Sequence, residues 1–344
     1  MARIKRLASM IVNSSAFENF VALLENVGGE RPDYLRVLTY HRVDEQDTHP
    51  WMNPGLISAS PDAFESQMKY LAANYQPVSA FQVAKAYESG RQNSLPARAV
   101  MVTFDDAYCD FEKHAWPILK HYRIPAVLFV PTAFPNHPER LFWWDRIYEA
   151  VQTTVVEEVE TPVGRLPVTT PDQRNQAYRR LKNYLKTLAH ATAMAVTEQI
   201  CTELGITPHP NCVLSWASLR NLAGEGVTLG AHTQNHPIMN HITPEELQNE
   251  IVGSLKDLKD QIGFEPQAFA YPSGIHNDDV VIAVEQAGFK LAFTTGRGIN
   301  HIGHTHRLRL QRINIGSRTT LPILRAQLLS WSIPVYSLSN KFFS

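Results

Sequence analysis

The chain has 344 residues, 44% hydrophobic and 19% charged, with a formal net charge of -1 at pH 7. Such a composition is ordinary for a soluble globular protein, and the near-neutral balance carries no electrostatic footprint for nucleic acid. No glycine-rich phosphate loop of the Walker type occurs, and no stretch reaches the roughly 18 apolar residues a membrane-spanning helix needs.

Residues 1–30 predict an N-terminal helical extension. Arg3, Lys5 and Arg6 imitate the basic start of a signal peptide, but Asn13, Ser14, Ser15, Glu18 and Asn19 interrupt the apolar core such a peptide requires. The expectation is an amphipathic helix with a capacity for peripheral membrane contact. Three cysteines, Cys109, Cys201 and Cys212, form no metal-type spacing, and their odd number argues against a disulfide framework. That usage suits a cytoplasmic protein.

From residue 31 to 344, short apolar runs alternate with helical patterns, which favours a parallel sheet wound by crossovers. Strands are predicted at Leu35–Tyr40, Ala99–Phe104, Ala126–Val130, Val227–Ala231, Ala268–Tyr271, Leu291–Thr294 and Arg312–Ile315. Helices are predicted at Pro61–Asn74 behind the N-cap Ser60, at Glu112–Tyr122 and at Pro244–Ile262. The stretch from about 134 to 210 breaks this rhythm. It holds Trp143 and Trp144, a turn-rich segment at Thr161–Pro171 and a long helical pattern at Gln173–Leu204, and reads as an insertion or helical lid.

Asp105 and Asp106 close the apolar run Val100-Met101-Val102-Thr103-Phe104. Two charges side by side at the end of a buried strand are costly unless something compensates them. A metal ion does so, and His232 and His236 offer two more ligands on another strand-end loop, where Pro237 disfavours helical geometry at His236. One carboxylate and two imidazoles make the three-ligand set of a catalytic site, which leaves positions open for water or substrate. The second aspartate is then free to serve as general base. Alone, an Asp-Asp pair is ordinarily a turn or cap, and a His-x3-His is ordinarily a surface pair. Together, each after a predicted strand, they point to a metal-dependent hydrolase on the face where barrel active sites are built.

Thr103-Phe104-Asp105-Asp106 and His232-Thr233-x-x-His236 resemble the first two motifs of the polysaccharide deacetylases. Trp216-x2-Leu219-x6-Gly226, Phe269-Ala270-Tyr271-Pro272-Ser273-Gly274 and Gly288-Phe289-x3-Phe293-Thr294-Thr295 extend the resemblance from Leu35 to Ile315, apart from the insertion. It implies a distorted (β/α) barrel and hydrolysis of acetyl groups from N-acetylated, sometimes O-acetylated, sugars with a divalent metal, commonly zinc. Carried over by position, Asp105 is the general base, and Asp106, His232 and His236 are the metal ligands. The oxyanion falls to the metal and to a backbone N–H of the Pro272-Ser273-Gly274 turn, chiefly that of Ser273, with Tyr271 just before the turn completing the oxyanion and substrate set.

Two departures stand out. The family's third motif often starts with an arginine that pairs with the catalytic aspartate, where this chain has Ala270. Arg42 and Arg312 are the alternatives, and the sequence does not place either. The family's C-terminal Leu-x-His is also missing, since Leu308, Leu310 and Ile323 lack a histidine two positions on. Leu38-Thr39-Tyr40-His41-Arg42-Val43, with the Ala63–Val78 segment behind it, resembles the circularly permuted members that deacetylate poly-N-acetylglucosamine. That resemblance makes His41 the candidate acid for the leaving amine. His114, His121, His301, His304 and His306 read as surface or loop positions. Trp143 and Trp144 are candidates for stacking on sugar rings, with core packing of the insertion the equal alternative; Asp145 is a further rim candidate.

The reading is a zinc-type deacetylase acting on an N-acetylated glycan or glycolipid intermediate in polysaccharide assembly. The rivals are hydrolysis of a non-sugar amide or O-acetyl ester, and a degenerate glycan-binding barrel.

Overall fold

The computed structural model describes residues 14–27, 32–45, 51–91, 93–205, 209–210 and 212–329. Among these, seven parallel strands close into a barrel. They are β1 (Tyr34–Tyr40), β2 (Ala99–Phe104), β3 (Ala126–Val130), β4 (Thr228–Ala231), β5 (Ala268–Ala270), β6 (Leu291–Arg297) and β7 (Leu310–Asn314). Each pairs with the next along the chain, and β7 pairs with β1 to close the ring. The expected distorted (β/α) barrel is thus observed, one strand short of the regular eight.

The strands read as unbroken apolar runs because both faces are buried. Leu35, Val37, Met101, Phe129, Phe293 and Leu310 pack together on one face, inside the barrel. The alternating residues Leu38, Tyr40, Val102, Phe104, Leu128 and Ile313 pack against the surrounding helices. Among those helices, Pro61–Asn74 starts where expected, with Ser60 Oγ accepting from the Ala63 N–H, and it buries Phe64, Met68 and Leu71. Pro244–Ile262 is closed at its start by the reciprocal Thr243–Glu246 capping box and at its end by Gly263 in the left-handed region, φ 78°. A further helix spans Ala80–Ser89, opened by the capping box of Ser79 and Gln82.

Two predicted helices differ in detail. The Glu112–Tyr122 pattern opens instead as a π-turn at Phe111–Ala115 and is α-helical only over Trp116–His121; Pro117 has no N–H to give the preceding turn. The pattern at Gln173–Leu204 is two helices, Pro171–Leu185 and His190–Glu203, broken between Lys186 and Ala189. The break folds both halves onto the helix Trp143–Thr153. These three helices share a second hydrophobic cluster, in which Trp144, Ile147 and Val151 meet Leu181, Leu185 and Ile200.

Of the expected N-terminal helix, Ser15–Val27 is helical. Residues 1–13 and 28–31, with Arg3, Lys5 and Arg6, lie outside the described residues. The helix docks through Glu25, which accepts from Arg325 Nε at 3.0 Å and Nη2 at 2.6 Å. No helix among the described residues is long and apolar enough to cross a membrane.

Candidate active site

The register of β1 against β2 pairs Tyr40 with Phe104, so His41 and Asp105 leave the barrel side by side. The Asp105 N–H donates to the Tyr40 carbonyl at 3.0 Å. Adjacent residues of a strand point to opposite faces, yet Asp105 and Asp106 reach one cavity. The strand ends at Phe104, ahead of both, and the chain then turns: Asp106 and Ala107 have φ of 72° and 52°. Thr233 (62°), His236 (55°) and Ser273 (55°) are also left-handed. Each such non-glycine residue costs on the order of 1–3 kcal/mol, and such strain gathers at functional sites.

Asp105 answers the question of the missing arginine. Arg312, entering from β7, grips it with Nη1 on Oδ1 at 2.8 Å and Nη2 on Oδ2 at 2.7 Å. Its Nε donates to the Thr294 carbonyl at 2.7 Å, and its side chain is fully buried. Burial alone would raise the Asp105 pKa, but the Arg312 charge, with lesser help from His232 and His41, holds it well below the usual carboxylate range. Arg42 goes elsewhere. It binds Asp110 through Nε at 2.7 Å and lies over the Tyr108 ring, 4.5 Å from its centroid.

Asp106 Oδ1 is buried without a hydrogen-bond partner. It lies 3.6 Å from His232 Nε2 and 3.5 Å from His236 Nε2. His232 Nδ1 faces the Ala270 carbonyl at 2.7 Å; a carbonyl only accepts, so Nδ1 carries the proton and Nε2 presents a lone pair. Burial lowers the His232 pKa to about 4 and drives His236 well below its ordinary value, so both rings are neutral. Burial and the neighbouring Asp105 push Asp106 well above the carboxylate range. Three potential ligand atoms, one carboxylate oxygen and two imidazole nitrogens, therefore converge within 4.8 Å of one another. A divalent cation fits that set, and an N,N,O donor combination accepts zinc and several other ions.

The histidine loop is held from outside. Glu250, on the helix Pro244–Ile262, accepts from the backbone N–H of Gln234 at 2.8 Å and of Asn235 at 2.9 Å, and from Asn235 Nδ2 at 2.7 Å. The sequence did not single out Glu250, because nothing local relates it to a loop fifteen residues upstream. Glu250→Ala is expected to weaken divalent-ion affinity by roughly 10–100-fold, as loss of groups supporting a metal site does. Competition against a metallochromic chelator measures this, and unchanged affinity would exclude the role.

A cavity of about 510 Å³ takes in these residues. His41, Asp105, Asp106, His232, His236, Ser273, Trp143 and Trp144 all line it. The His41 N–H donates to Ser58 Oγ at 2.9 Å; burial lowers its pKa, against the pull of Asp105. Trp144 sets its ring edge-on to His236, 4.7 Å between centroids, and stacks on Phe142 at 4.5 Å. Ser273 is fixed by the Thr295 hydroxyl, which donates to its carbonyl at 3.1 Å.

Tyr271 and Pro272 are corrections to the substrate set. Tyr271 is fully buried, with its hydroxyl donating to the Leu308 carbonyl at 2.9 Å. It continues the outward-facing alternation of β5, where Phe269 also packs against the helices. Pro272 is likewise buried and does not line the cavity. Asp145 lines a separate cavity of about 120 Å³ rather than the rim. It accepts from the Tyr108 hydroxyl at 2.6 Å, and burial pushes its pKa up to about 6.

The sequence profile of the polysaccharide deacetylases matches residues 92–157 and 158–292, more than half of the chain. The chain belongs to the polysaccharide deacetylase family. YxkH of Bacillus subtilis is 21% identical over 270 residues, 78% of this polysaccharide deacetylase and 67% of YxkH. The poly-beta-1,6-N-acetyl-D-glucosamine N-deacetylase of Escherichia coli K12 is 34% identical over 91 residues, 26% of this chain and only 13% of that enzyme. Among solved structures, the Streptococcus pyogenes deacetylase PplD in complex with acetate superposes with a TM-score of 0.59 at 22% identity, covering 86% of this chain and 99% of that one. IcaB from Ammonifex degensii gives 0.56 at 19% identity, covering 87% and 99%. These two show that the deacetylase barrel is shared.

Proposed function

We propose that the chain hydrolyses the acetamide of an N-acetylated sugar in a polysaccharide, oligosaccharide or glycolipid intermediate, releasing acetate. The observation that carries this is a single cleft in which an unpartnered buried carboxylate and two imidazole lone pairs converge beside a second carboxylate clamped by arginine. A divalent ion, zinc in the first instance, held by Asp106, His232 and His236 would polarise the acetamide carbonyl and acidify water.

Asp105, kept ionised by Arg312, takes the proton of the attacking water. His41, beside it on the next strand, returns a proton to the leaving amine. The Ser273 backbone N–H receives the charge that develops on the carbonyl oxygen. Trp143 and Trp144 present aromatic surface to the sugar. Residues from about 134 to 210 act as a lid, a reading supported by their own hydrophobic cluster and by the side chains they bring to the cleft. Family membership supports a glycan substrate, and the similarity to poly-N-acetylglucosamine deacetylases makes N-acetylglucosamine oligomers the first to test, within exopolysaccharide biosynthesis.

The test is acetate release from such oligomers by the full chain, stripped of metal and then reloaded with zinc, manganese or cobalt. Ion-dependent acetate is expected, and His41→Phe should lower kcat by about 10²–10⁴-fold with little change in KM. No acetate from any N-acetylated sugar by the ion-loaded chain would overturn the reading.

A further inference from the structure

The lid brings more than aromatic surface to the cleft. Tyr178, Lys182 and Lys186 follow one another at four-residue steps along the helix Pro171–Leu185 and its final cap, so they share one face. The Lys186 N–H donates to the Lys182 carbonyl at 3.2 Å, which continues the helical path through the cap. All three line the cavity that holds Asp105, Asp106 and His236. Asn53 Nδ2 donates to the Tyr178 hydroxyl at 2.7 Å and ties this face to the barrel side of the cleft.

Two like charges four residues apart on a helix repel. Among the described residues, neither ammonium has a carboxylate within 4 Å, and Lys186 is half-buried. A lysine near a helix C-terminus is favourable to the helix dipole, but an outward-facing lysine achieves that without desolvation. Of the carboxylates lining the cleft, Asp105 and Asp106, the first is already neutralised by Arg312. Two lysines thus face one remaining carboxylate, Asp106, with Lys182 Nζ 5.5 Å from the centroid of the Tyr178 ring, and the cleft keeps an excess of positive charge beside the reacting centre. Burial and the Lys182 charge both lower the Lys186 pKa, as expected for a cation lacking a counter-charge.

We infer that Lys182 and Lys186 form an anion-binding subsite, so that the acetylated sugar accepted best carries a phosphoryl or carboxylate group next to the acetamide-bearing residue. Lysine binds such groups as a point charge. The inference rests on the deacetylase reading and narrows its substrate class.

Titration calorimetry on the full chain compares N-acetylglucosamine, N-acetylglucosamine 1-phosphate and the disaccharide of N-acetylglucosamine with glucuronic acid. At least one anionic ligand is expected to bind roughly tenfold or more tighter than the neutral sugar, the scale of one charge-assisted hydrogen bond. Which of the two gains identifies the phosphoryl or carboxylate source. In Lys186→Gln, and in Lys182→Gln/Lys186→Gln, that ratio should fall to about one, whereas Lys182→Arg/Lys186→Arg should keep it. Each titration is run with and without the divalent ion, because a phosphate seated on the ion itself loses its advantage with chelation and keeps it in the glutamine variants. That pattern, or equal affinity for neutral and anionic sugars, overturns the subsite. Acetate release from neutral sugars without anionic preference would remove the subsite and leave the deacetylase reading standing. Lysine-dependent preference without acetate release would remove the deacetylase reading and leave the subsite.

Discussion

Asp105→Asn is expected to lower the rate of acetate release by about 10²–10⁴-fold, the contribution of a positioned general base, while the chain still binds its divalent ion. The same substitution has a separate cost in stability. It leaves the fully buried Arg312 guanidinium without a counter-charge, and removing one member of a buried ion pair typically costs about 3–5 kcal/mol. Arg312→Met strands the Asp105 carboxylate instead and should cost a similar amount. The double variant, Asp105→Asn with Arg312→Met, removes both charges together and should be less destabilised than the sum of the singles. Denaturation of the four proteins gives the coupling directly. Additive losses would sink the structural pair, and full turnover by Asp105→Asn would sink the base.

The pH dependence of that pair has a definite sign. Its folded pKa lies below the ordinary value, so its stabilisation is complete above the unfolded carboxylate pKa of about 3.9 and is lost as pH falls through the lower folded value. Between pH 7 and 5 the pair should contribute a constant amount.

Divalent-ion loading is the second large effect. Without a cation, Asp106 Oδ1 is buried and unpartnered, and the polypeptide bears that desolvation alone. A ligand bound only by the folded state, at a free concentration 100 times its dissociation constant, stabilises by about 2.7 kcal/mol. For a chain of this size, that should raise the thermal midpoint by roughly 4 °C. Asp106→Ala and His236→Ala should abolish both the rise and the acetate release. Ion affinity should also weaken as pH falls, because bound ligands must be deprotonated. Asp106, raised by burial, dominates that dependence, since His232 at about 4 is already neutral over the working range. A midpoint indifferent to zinc, manganese and cobalt would exclude the metal centre.

The four residues at the heart of the site were legible because strand ends and charge are local properties. Asp105 and Asp106 close one short apolar run and His232 closes another, with His236 four residues on, and buried charge at such places calls for compensation. The arginine was not legible in the same way. Arg42 and Arg312 both adjoin predicted strands, and only the closure of β7 onto β1 decides which of them meets Asp105. Alternation along β7 carries part of the answer: Arg312 shares the inward face with Leu310 and lies over the inward Phe129 ring, while Arg42 lies beyond the end of β1 and pairs with Asp110. Reading β7 from Arg312 rather than Leu310 hid it. Tyr271 was misplaced for the same reason, since its motif says it is near the site but only the strand's parity says it points away.

Lys182 and Lys186 were hidden differently. The helical pattern from Gln173 to Leu204 reads as continuous, and a continuous helix gives no ground for a terminus at the cleft. The break after Lys186 lets both halves pack against Trp143–Thr153, a contact between segments distant in the chain. The sequence alone determined the parallel barrel, the aspartate pair and the two histidines, because periodicity and buried charge constrain neighbours along the chain. Tertiary structure alone decided which arginine clamps Asp105, that His41 stands beside it and that two lysines face the cleft, because those relations depend on strand register and helix packing between residues far apart in sequence.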